Sequence, residues 1–182
     1  MLDFDPLHGH EDLDSLPADR WSVVHDVAVN ASGDSVDHIV IGPSGIFVLD
    51  AKDLPGHAQV SDRLVKHNGR RTGLLAKVRR EEIYVRAALE HRLARPVDVR
   101  PVLALRANEL VVREAPLDVT VLRREEVTTW LRKLPTLLFP GEVAELERAV
   151  LDQDTWQPTY RAKPLRVLAS GGSWRRNDKL FL

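Results

Sequence analysis

The chain has 182 residues, of which 43% are hydrophobic and 29% are charged, and its formal net charge is −1. It contains no cysteine, which excludes disulfide bonds and thiolate metal sites. No apolar run approaches the roughly 18 residues that a membrane-spanning helix needs. The acidic N-terminus lacks the basic and apolar regions of a signal peptide, so we expect a cytoplasmic protein that does not engage a membrane. The length suits one α/β domain with a short additional segment.

Charge is distributed unevenly along the chain. Residues 1–62 carry 12 acidic and 2 basic side chains, whereas residues 63–106 carry 12 basic and 4 acidic ones. An acidic segment followed by a basic one suits a cation site beside a surface that binds a polyanion. Ordinary solvated surface charge is the alternative interpretation.

The first third of the chain has the pattern of β-strands. Runs rich in β-branched residues predict strands at residues 21–29, 36–41 and 46–51. The sequence GPSG at 42–45 predicts a tight turn between the second and third strands. Leu54-Pro55-Gly56 is expected to break the chain, and a short hairpin near 57–61 and 64–67 is expected to be closed by Asn68-Gly69.

The remaining two thirds mix helical and extended patterns. Helical periodicity predicts helices at residues 74–94, 123–134 and 140–151. Two buried-looking runs predict further strands at residues 99–105 and 119–122. In the first helix the apolar stripe predicts that Lys77, Arg80 and Arg95 lie on the side away from the core.

These elements predict an α/β fold with a mixed β-sheet and flanking helices. Both faces of the hairpin at 36–51 are apolar, so we expect it to be central and covered on both sides. The corresponding domain prediction is an N-terminal segment at 1–20, one domain at 21–151, and a basic, aromatic-containing tail or flap at 152–182.

The hairpin register predicts a pair of facing carboxylates. With the turn centred on Pro43-Ser44, Asp37 lies opposite Asp50, and opposed Cβ atoms are about 4.5–5.5 Å apart. Lys52 lies two residues beyond Asp50 and emerges on the same face. Two carboxylates at about 4 Å repel by about 4 kcal/mol at an effective dielectric of 20, so a proton or a cation is needed. Oxygen ligands favour Mg²⁺ or Mn²⁺. The alternative is a structural ion pair between Lys52 and two strand-end aspartates.

The run DHIVIGPSGIFVLDAK at 37–52 resembles the signature of the nuclease-related domain (NERD) family, a branch of the PD-(D/E)XK nuclease superfamily. Asp37 matches the aspartate that begins the second core strand, and Asp50-Ala51-Lys52 matches the (D/E)-x-K element on the third. The preceding WSVVHDV and the later NGRR followed by a helix are also similar to the family. The resemblance covers residues 21–105 and implies a restriction-endonuclease-like fold.

The resemblance implies phosphodiester hydrolysis in nucleic acid, with DNA favoured and Mg²⁺ (or Mn²⁺) as the cofactor. Asp37 and Asp50 would bind the metal, joined by the backbone carbonyl of Ala51, and Lys52 would assist the attacking water. The catalytic set would then be Asp37, Asp50 and Lys52. The candidates for phosphate contacts are the basic residues Arg70, Arg71, Lys77, Arg79 and Arg80. A solvated helix face is the alternative interpretation of that basic cluster.

Two acidic positions depart from the family pattern. Family members usually carry a Gly-Glu pair on an N-terminal helix, and the nearest match here is Gly9-His10-Glu11, so Glu11 is a candidate metal ligand. Where the family often has a glutamine on the long helix, this chain has Glu81, which either changes the charge near the site or, as we expect, lies on the helix flank. A nucleic-acid-binding module without cleavage and a protein-interaction domain therefore remain alternative functions.

Overall fold

The computed structural model describes residues 13–29 and 35–157 of the chain. The strands are β1 (Ser22–Ala28), β2 (Ser35–Gly42), β3 (Gly45–Val60), β4 (Val65–His67), β5 (Arg70–Arg71), β6 (Val99–Val112) and β7 (Thr120–Arg123). The α-helices with both ends within the described residues are α1 (Leu74–Leu93), α2 (Val127–Lys133) and α3 (Pro140–Leu151). Short 3₁₀ turns lie at Arg124–Glu126 and Gln153–Trp156. None of the helices in this part of the chain is long and apolar enough to cross a membrane.

All seven of these strands belong to one mixed sheet. β1, β2 and β3 pair antiparallel in sequence, and β4 and β5 continue antiparallel from the far end of β3. β6 pairs parallel with β3 after α1 has carried the chain back between β5 and β6, and β7 pairs parallel with β6. The expected restriction-endonuclease-like architecture, a mixed sheet with flanking helices, is confirmed.

The β2–β3 hairpin is central and is covered on both faces, as the apolar pattern predicts. On one face Ile39 and Val48 pack in a core cluster with Leu75 and Val85 of α1, and α3 joins the same cluster. On the other face the hairpin packs against α2 and the segment before β1, in a cluster that includes Val40, Phe47, Leu49, Leu131, Leu13 and Leu16. Continuous burial of both faces explains why the hairpin has no polar side.

The expected chain break at Leu54-Pro55-Gly56 is wrong, because β3 continues through it to Val60. The β3–β6 register shifts between Leu54 and His57, so the Pro-Gly pair forms a β-bulge. Gly56 adopts a φ of +102°, and its N–H donates to Asn108 Oδ1 at 2.6 Å. Pro55 lacks an N–H, and a bulge is one of the places in a sheet that tolerates this loss.

The Asn68-Gly69 turn closes a different hairpin from the one expected. Ala58–Val60 of β3 pair with β4, as expected, but the chain reverses between them at residues 61–64. Asn68-Gly69 closes the following β4–β5 hairpin, in which His67 pairs with Arg70. Both turn residues have positive φ, +47° and +79°, as a tight Asn-Gly hairpin turn requires. The strand expected at 99–105 also extends to Val112, because it follows the second half of β3.

One edge of β3 is left without a partner strand near its middle. β2 accompanies that edge as far as Leu49, and β4 begins at Ala58. No other described strand pairs with the edge between these two residues. β6 pairs with the opposite edge of β3 through this region, apart from the register shift between Leu54 and His57.

Candidate active site

The β2–β3 register places two acidic side chains at this gap. The ladder pairs Ile41 with Ile46 and Ile39 with Val48, which confirms the register expected from the turn. The last pair is His38 with Leu49, so Asp37 and Asp50 lie one step beyond it, where the two strands begin to separate. Asp50 has the same parity as Val48, so its side chain lies on the α1 face of the sheet. Asp50 is fully buried.

Lys52 joins the two aspartates. Its Nζ donates a hydrogen bond to Asp37 Oδ2 at 2.6 Å and lies 2.7 Å from Asp50 Oδ1. Asp50 Oδ1 nevertheless accepts no well-aligned hydrogen bond within the described residues. Asp37, Asp50 and Lys52 therefore form one cluster, in which the ammonium group contacts both carboxylates.

A second lysine reaches the same cluster from α1. Lys77 Nζ donates to Asp37 Oδ1 at 3.2 Å and to Asp50 Oδ2 at 3.1 Å. The expectation that Lys77 lies on the side of the helix away from the core is wrong. It lies at the border of the apolar stripe, beside Val78, where a long side chain can turn toward the charges in the sheet.

Glu81 also belongs to the cluster, so its expected position on the helix flank is wrong. It is only 6% exposed, and its Oε1 lies 2.7 Å from Lys77 Nζ, one helical turn earlier. Its Oε2 is buried without a hydrogen-bond partner among the described residues. We define the charged cluster as the five residues Asp37, Asp50, Lys52, Lys77 and Glu81.

The two aspartates of the charged cluster have opposite pKa shifts. Burial raises the pKa of Asp50, and the adjacent Asp37 carboxylate raises it further. Burial alone would raise the pKa of Asp37, but hydrogen bonds with Asp50 and Lys52 lower it well below its ordinary range. Asp37 is therefore firmly ionised, whereas burial and the neighbouring negative charge oppose ionisation of Asp50.

The remaining members of the charged cluster follow the same physics. Burial raises the pKa of Glu81, an effect that Lys77 offsets only in part. Burial lowers the pKa of both lysines, but contacts with the carboxylates reverse this and raise it above the ordinary value. Both ammonium groups are therefore charged at neutral pH, and three acids share two cations.

The family comparison agrees with this geometry. A family model described as the nuclease-related domain (NERD) matches residues 9–105, which is more than half of the chain and contains the whole charged cluster. The chain belongs to the nuclease-related domain family. This family is assigned to the PD-(D/E)XK superfamily. Neither the search of curated proteins nor the search of solved structures found a match.

In this nuclease-related domain the acids of the charged cluster have the chemistry of a hard-cation site. Their donors are carboxylate oxygens; Glu81 Oε2 is buried without a hydrogen-bond partner among the described residues, whereas Asp50 Oδ1 lies 2.7 Å from Lys52 Nζ. Carboxylate oxygens suit Mg²⁺ or Mn²⁺. Within the described residues no group of three or more acidic or histidine side chains is arranged to hold a metal alone, and the lysines lie between the acids. The chemistry of the donors therefore suits a divalent ion, but the lysines occupy the space between the acids.

The four arginines that are candidates for phosphate contacts lie outside the charged cluster. Arg70 and Arg71 form β5 and are exposed. Arg79 is engaged by Asp118, to which its Nε and Nη2 donate at 2.6 and 2.8 Å. Arg80 lines a cavity beside the charged cluster.

Of the two further candidate metal ligands, the Ala51 carbonyl and Glu11, only Ala51 lies within the described residues. Ala51 pairs in β3 with Ala104 of β6. Glu11 lies outside the described residues.

The helical pattern of α1 contains a signal for the observed positions of Lys77 and Glu81. Val78, position 81 and Val85 continue one apolar stripe at the 3–4 spacing of a helix, so an acidic residue at 81 is expected to be buried. A buried carboxylate needs a cation, and Lys77 is one turn away. The apolar stripe therefore predicts that Glu81 is buried, and a buried Glu81 predicts that Lys77 is its partner.

Proposed function

We propose that this nuclease-related domain is a divalent-metal-dependent nuclease that hydrolyses phosphodiester bonds in nucleic acid, with DNA as the favoured substrate. The observation that carries the proposal is the meeting of Asp37 and Asp50 around Lys52, at distances of 2.6 and 2.7 Å, beside a stretch of the β3 edge with which no described strand pairs. Facing carboxylates with an adjacent ammonium group are suited to metal-assisted phosphoryl transfer.

Each side chain has a role that follows from its position. Asp37 and Asp50 would hold Mg²⁺ or Mn²⁺, with the Ala51 carbonyl and Glu11 as candidate further ligands. An ion held there would supply Lewis acidity, which would polarise a phosphoryl oxygen and lower the pKa of a water. Lys52, two residues beyond Asp50, would orient the attacking water and stabilise the negative charge that develops on the phosphate.

The test is cleavage of labelled single-stranded DNA, duplex DNA and RNA by the purified protein in Mg²⁺, Mn²⁺ or EDTA. We expect cleavage only with a divalent ion, and we expect Asp50→Asn and Lys52→Met each to lower the rate by roughly 100-fold or more. Matched controls are Asp98→Asn and Lys133→Met, which alter exposed residues outside the charged cluster. Cleavage that persists in EDTA or in Asp50→Asn contradicts the proposal.

A second candidate is a nucleic-acid-binding module that has lost cleavage. The observation that favours it is the position of Lys52 and Lys77 between the carboxylates, where they already supply two positive charges. This function predicts salt-sensitive binding without cutting under any metal condition. A protein-interaction domain, the third alternative, predicts neither binding nor cutting.

A further inference from the structure

A cavity of about 590 Å³ opens beside the charged cluster. Asp37, Lys77 and Glu81 form part of its wall, so the cavity and the candidate catalytic residues share side chains. Its size lies within the range of small-ligand sites in proteins, and it is large enough for one nucleotide. The side chains in the rest of the wall determine which class of ligand the cavity can bind.

One face of α1 supplies most of that wall. Lys77, Arg80, Glu81 and Tyr84 all line the cavity and follow the 3–4 spacing of a single helix face. Lys77 is already engaged by three carboxylates. Arg80 has no hydrogen bond or ion pair with the described part of the chain and is exposed. Arg80 is therefore the cation in this wall that is available to a ligand's phosphate.

Tyr84 gives the cavity an aromatic surface. Its side chain is 50% exposed although it is large and apolar, and it lies one helical turn beyond Arg80. Side chains at this spacing have Cβ atoms about 5–6 Å apart, so a ring on Tyr84 and a phosphate on Arg80 can belong to one nucleotide. Leu74 and Val29 add apolar wall, which suits a base rather than a hydrated ion.

We propose that this cavity binds one unpaired nucleotide of a single-stranded nucleic acid, with its base stacked on Tyr84 and its phosphate held by Arg80. The proposal rests on the proposed nuclease function only in placing this nucleotide next to the scissile phosphate. A paired base remains stacked within its duplex and cannot enter a cavity wall of this kind without being extruded. The subsite therefore selects single strands, or the ends and gaps of duplexes, over continuous duplex.

Binding is tested in EDTA, where a metal-dependent nuclease does not cut its substrate. The probe is a fluorescein-labelled 12-nucleotide oligo-dT, and its affinity is measured by fluorescence anisotropy against a blunt duplex of equal length. We expect the single strand to bind at least tenfold more tightly. Tyr84→Ala should weaken single-strand binding roughly tenfold, whereas Tyr84→Phe, which keeps the ring, should bind within twofold of wild type. Arg80→Ala should lower the slope of log affinity against log salt by about one.

Matched controls remove an aromatic ring and a cation elsewhere. Phe139→Ala removes an aromatic ring that is 79% exposed and does not line this cavity. Arg63→Ala removes an exposed cation that does not line it either. Both should bind like wild type. The proposal is overturned if Tyr84→Ala, shown to be folded by circular dichroism, binds the single strand within twofold of wild type. Equal affinity for the duplex also overturns it.

The two proposals fail in distinguishable ways. If no metal supports cleavage but Tyr84→Ala loses single-strand binding, the nuclease function is wrong and the nucleotide subsite stands. If cleavage is metal-dependent and Tyr84→Ala binds and cuts like wild type, the subsite is wrong and the nuclease stands. Absence of any nucleic-acid binding by the wild-type protein overturns both.

Discussion

Lys77 brings positive charge from a helix to two strands. Its Nζ lies within 3.2 Å of Asp37, Asp50 and Glu81, so a single ammonium group partly neutralises three acids. Without Lys77, Glu81 has no cation within contact distance among the described residues. Lys77 therefore sets much of the charge balance of the cluster and links α1 to β2 and β3.

Lys77→Met keeps the aliphatic stem and removes the charge. Because three acids then share Lys52 alone, we expect the free energy of unfolding in EDTA to fall by about 2 kcal/mol, less than a fully buried pair costs because the side chain is partly exposed. Added Mg²⁺ should restore more stability to this variant than to the wild type. Urea unfolding with and without Mg²⁺ measures both effects. Lys133→Met is the control, and equal stability of the two variants would contradict the role given to Lys77.

The two aspartates should respond oppositely to pH. The pKa of Asp37 is lowered by folding, so its ionised form stabilises the fold above the ordinary pKa of 3.8, and this contribution is lost as pH falls below that value. Asp37→Asn should therefore cost about 1–2 kcal/mol at pH 7, with the deficit shrinking between about pH 5 and pH 2.

The raised pKa of Asp50 gives the opposite sign, since ionised Asp50 costs stability above its folded-state pKa. Asp50→Asn should be at least as stable as wild type at pH 7 while losing activity. Urea unfolding from pH 3 to pH 8 compares the two isosteric variants. The same pH profile for both would show that the carboxylates are not divided in this way.

At the scale of residues, the sequence predicted the part of the site that depends on local pairing. Asp37, Asp50 and Lys52 come together through a two-residue turn, and parity along each strand is enough to orient them. Lys77 and Glu81 were misplaced because their contacts depend on how α1 rotates over the sheet. That rotation follows from packing against β3 and β6 rather than from helical periodicity alone.

At the scale of elements, the bulge in β3 sets the direction of the strand beyond the site. His57 N–H donates to Asn68 Oδ1 at 2.9 Å, which ties the bulge to the β4–β5 turn. A Cβ added at Gly56 would lie 2.5 Å from the same Oδ1. The bulge was not predicted because Pro-Gly pairs end strands far more often than they bend them.

Two glycine substitutions separate strain from contact at this bulge. Gly56→Ala should cost about 2 kcal/mol, because it combines a positive φ with a displaced Asn68. Gly69→Ala also has a positive φ but meets no atom within 4 Å, so about 1 kcal/mol is expected. Gly73→Ala, at an ordinary φ and in open space, should be neutral. Chemical denaturation ranks the three, and a neutral Gly56→Ala would show that the bulge relaxes freely.

At the scale of the whole molecule, the packed part of the chain continues past α3. Thr155 Oγ1 donates to Ala149 O at 2.6 Å, and Trp156 Nε1 donates to Val150 O at 2.9 Å. Trp156 also packs against the larger core cluster. The domain boundary at 151 remains a prediction from the sequence, where aperiodic residues resemble a tail, but the contacts of residues 152–156 favour a later one.

Two truncations test where the domain ends. A chain ending at Leu151 should have a lower Tm than a chain ending at Gln157, because it loses the Trp156 packing and both hydrogen bonds. The expected loss is about 2–3 kcal/mol, or roughly 5–10 °C in Tm for a protein of this size. Differential scanning calorimetry compares both with the full chain. Equal Tm values for the two truncations would place the boundary at 151.

The topology of the sheet implies an order of assembly during folding. The β2–β3 hairpin closes across Pro43 and Ser44 alone, whereas Ile46 pairs with Val99 only after α1 has crossed the sheet. Because closing a long loop costs more entropy than closing a short one, the hairpin should form first. The hairpin should then bring Asp37 and Asp50 together before Lys77 reaches them. Divalent cations should therefore accelerate refolding of the wild type more than of Asp50→Asn, a difference that stopped-flow fluorescence can measure.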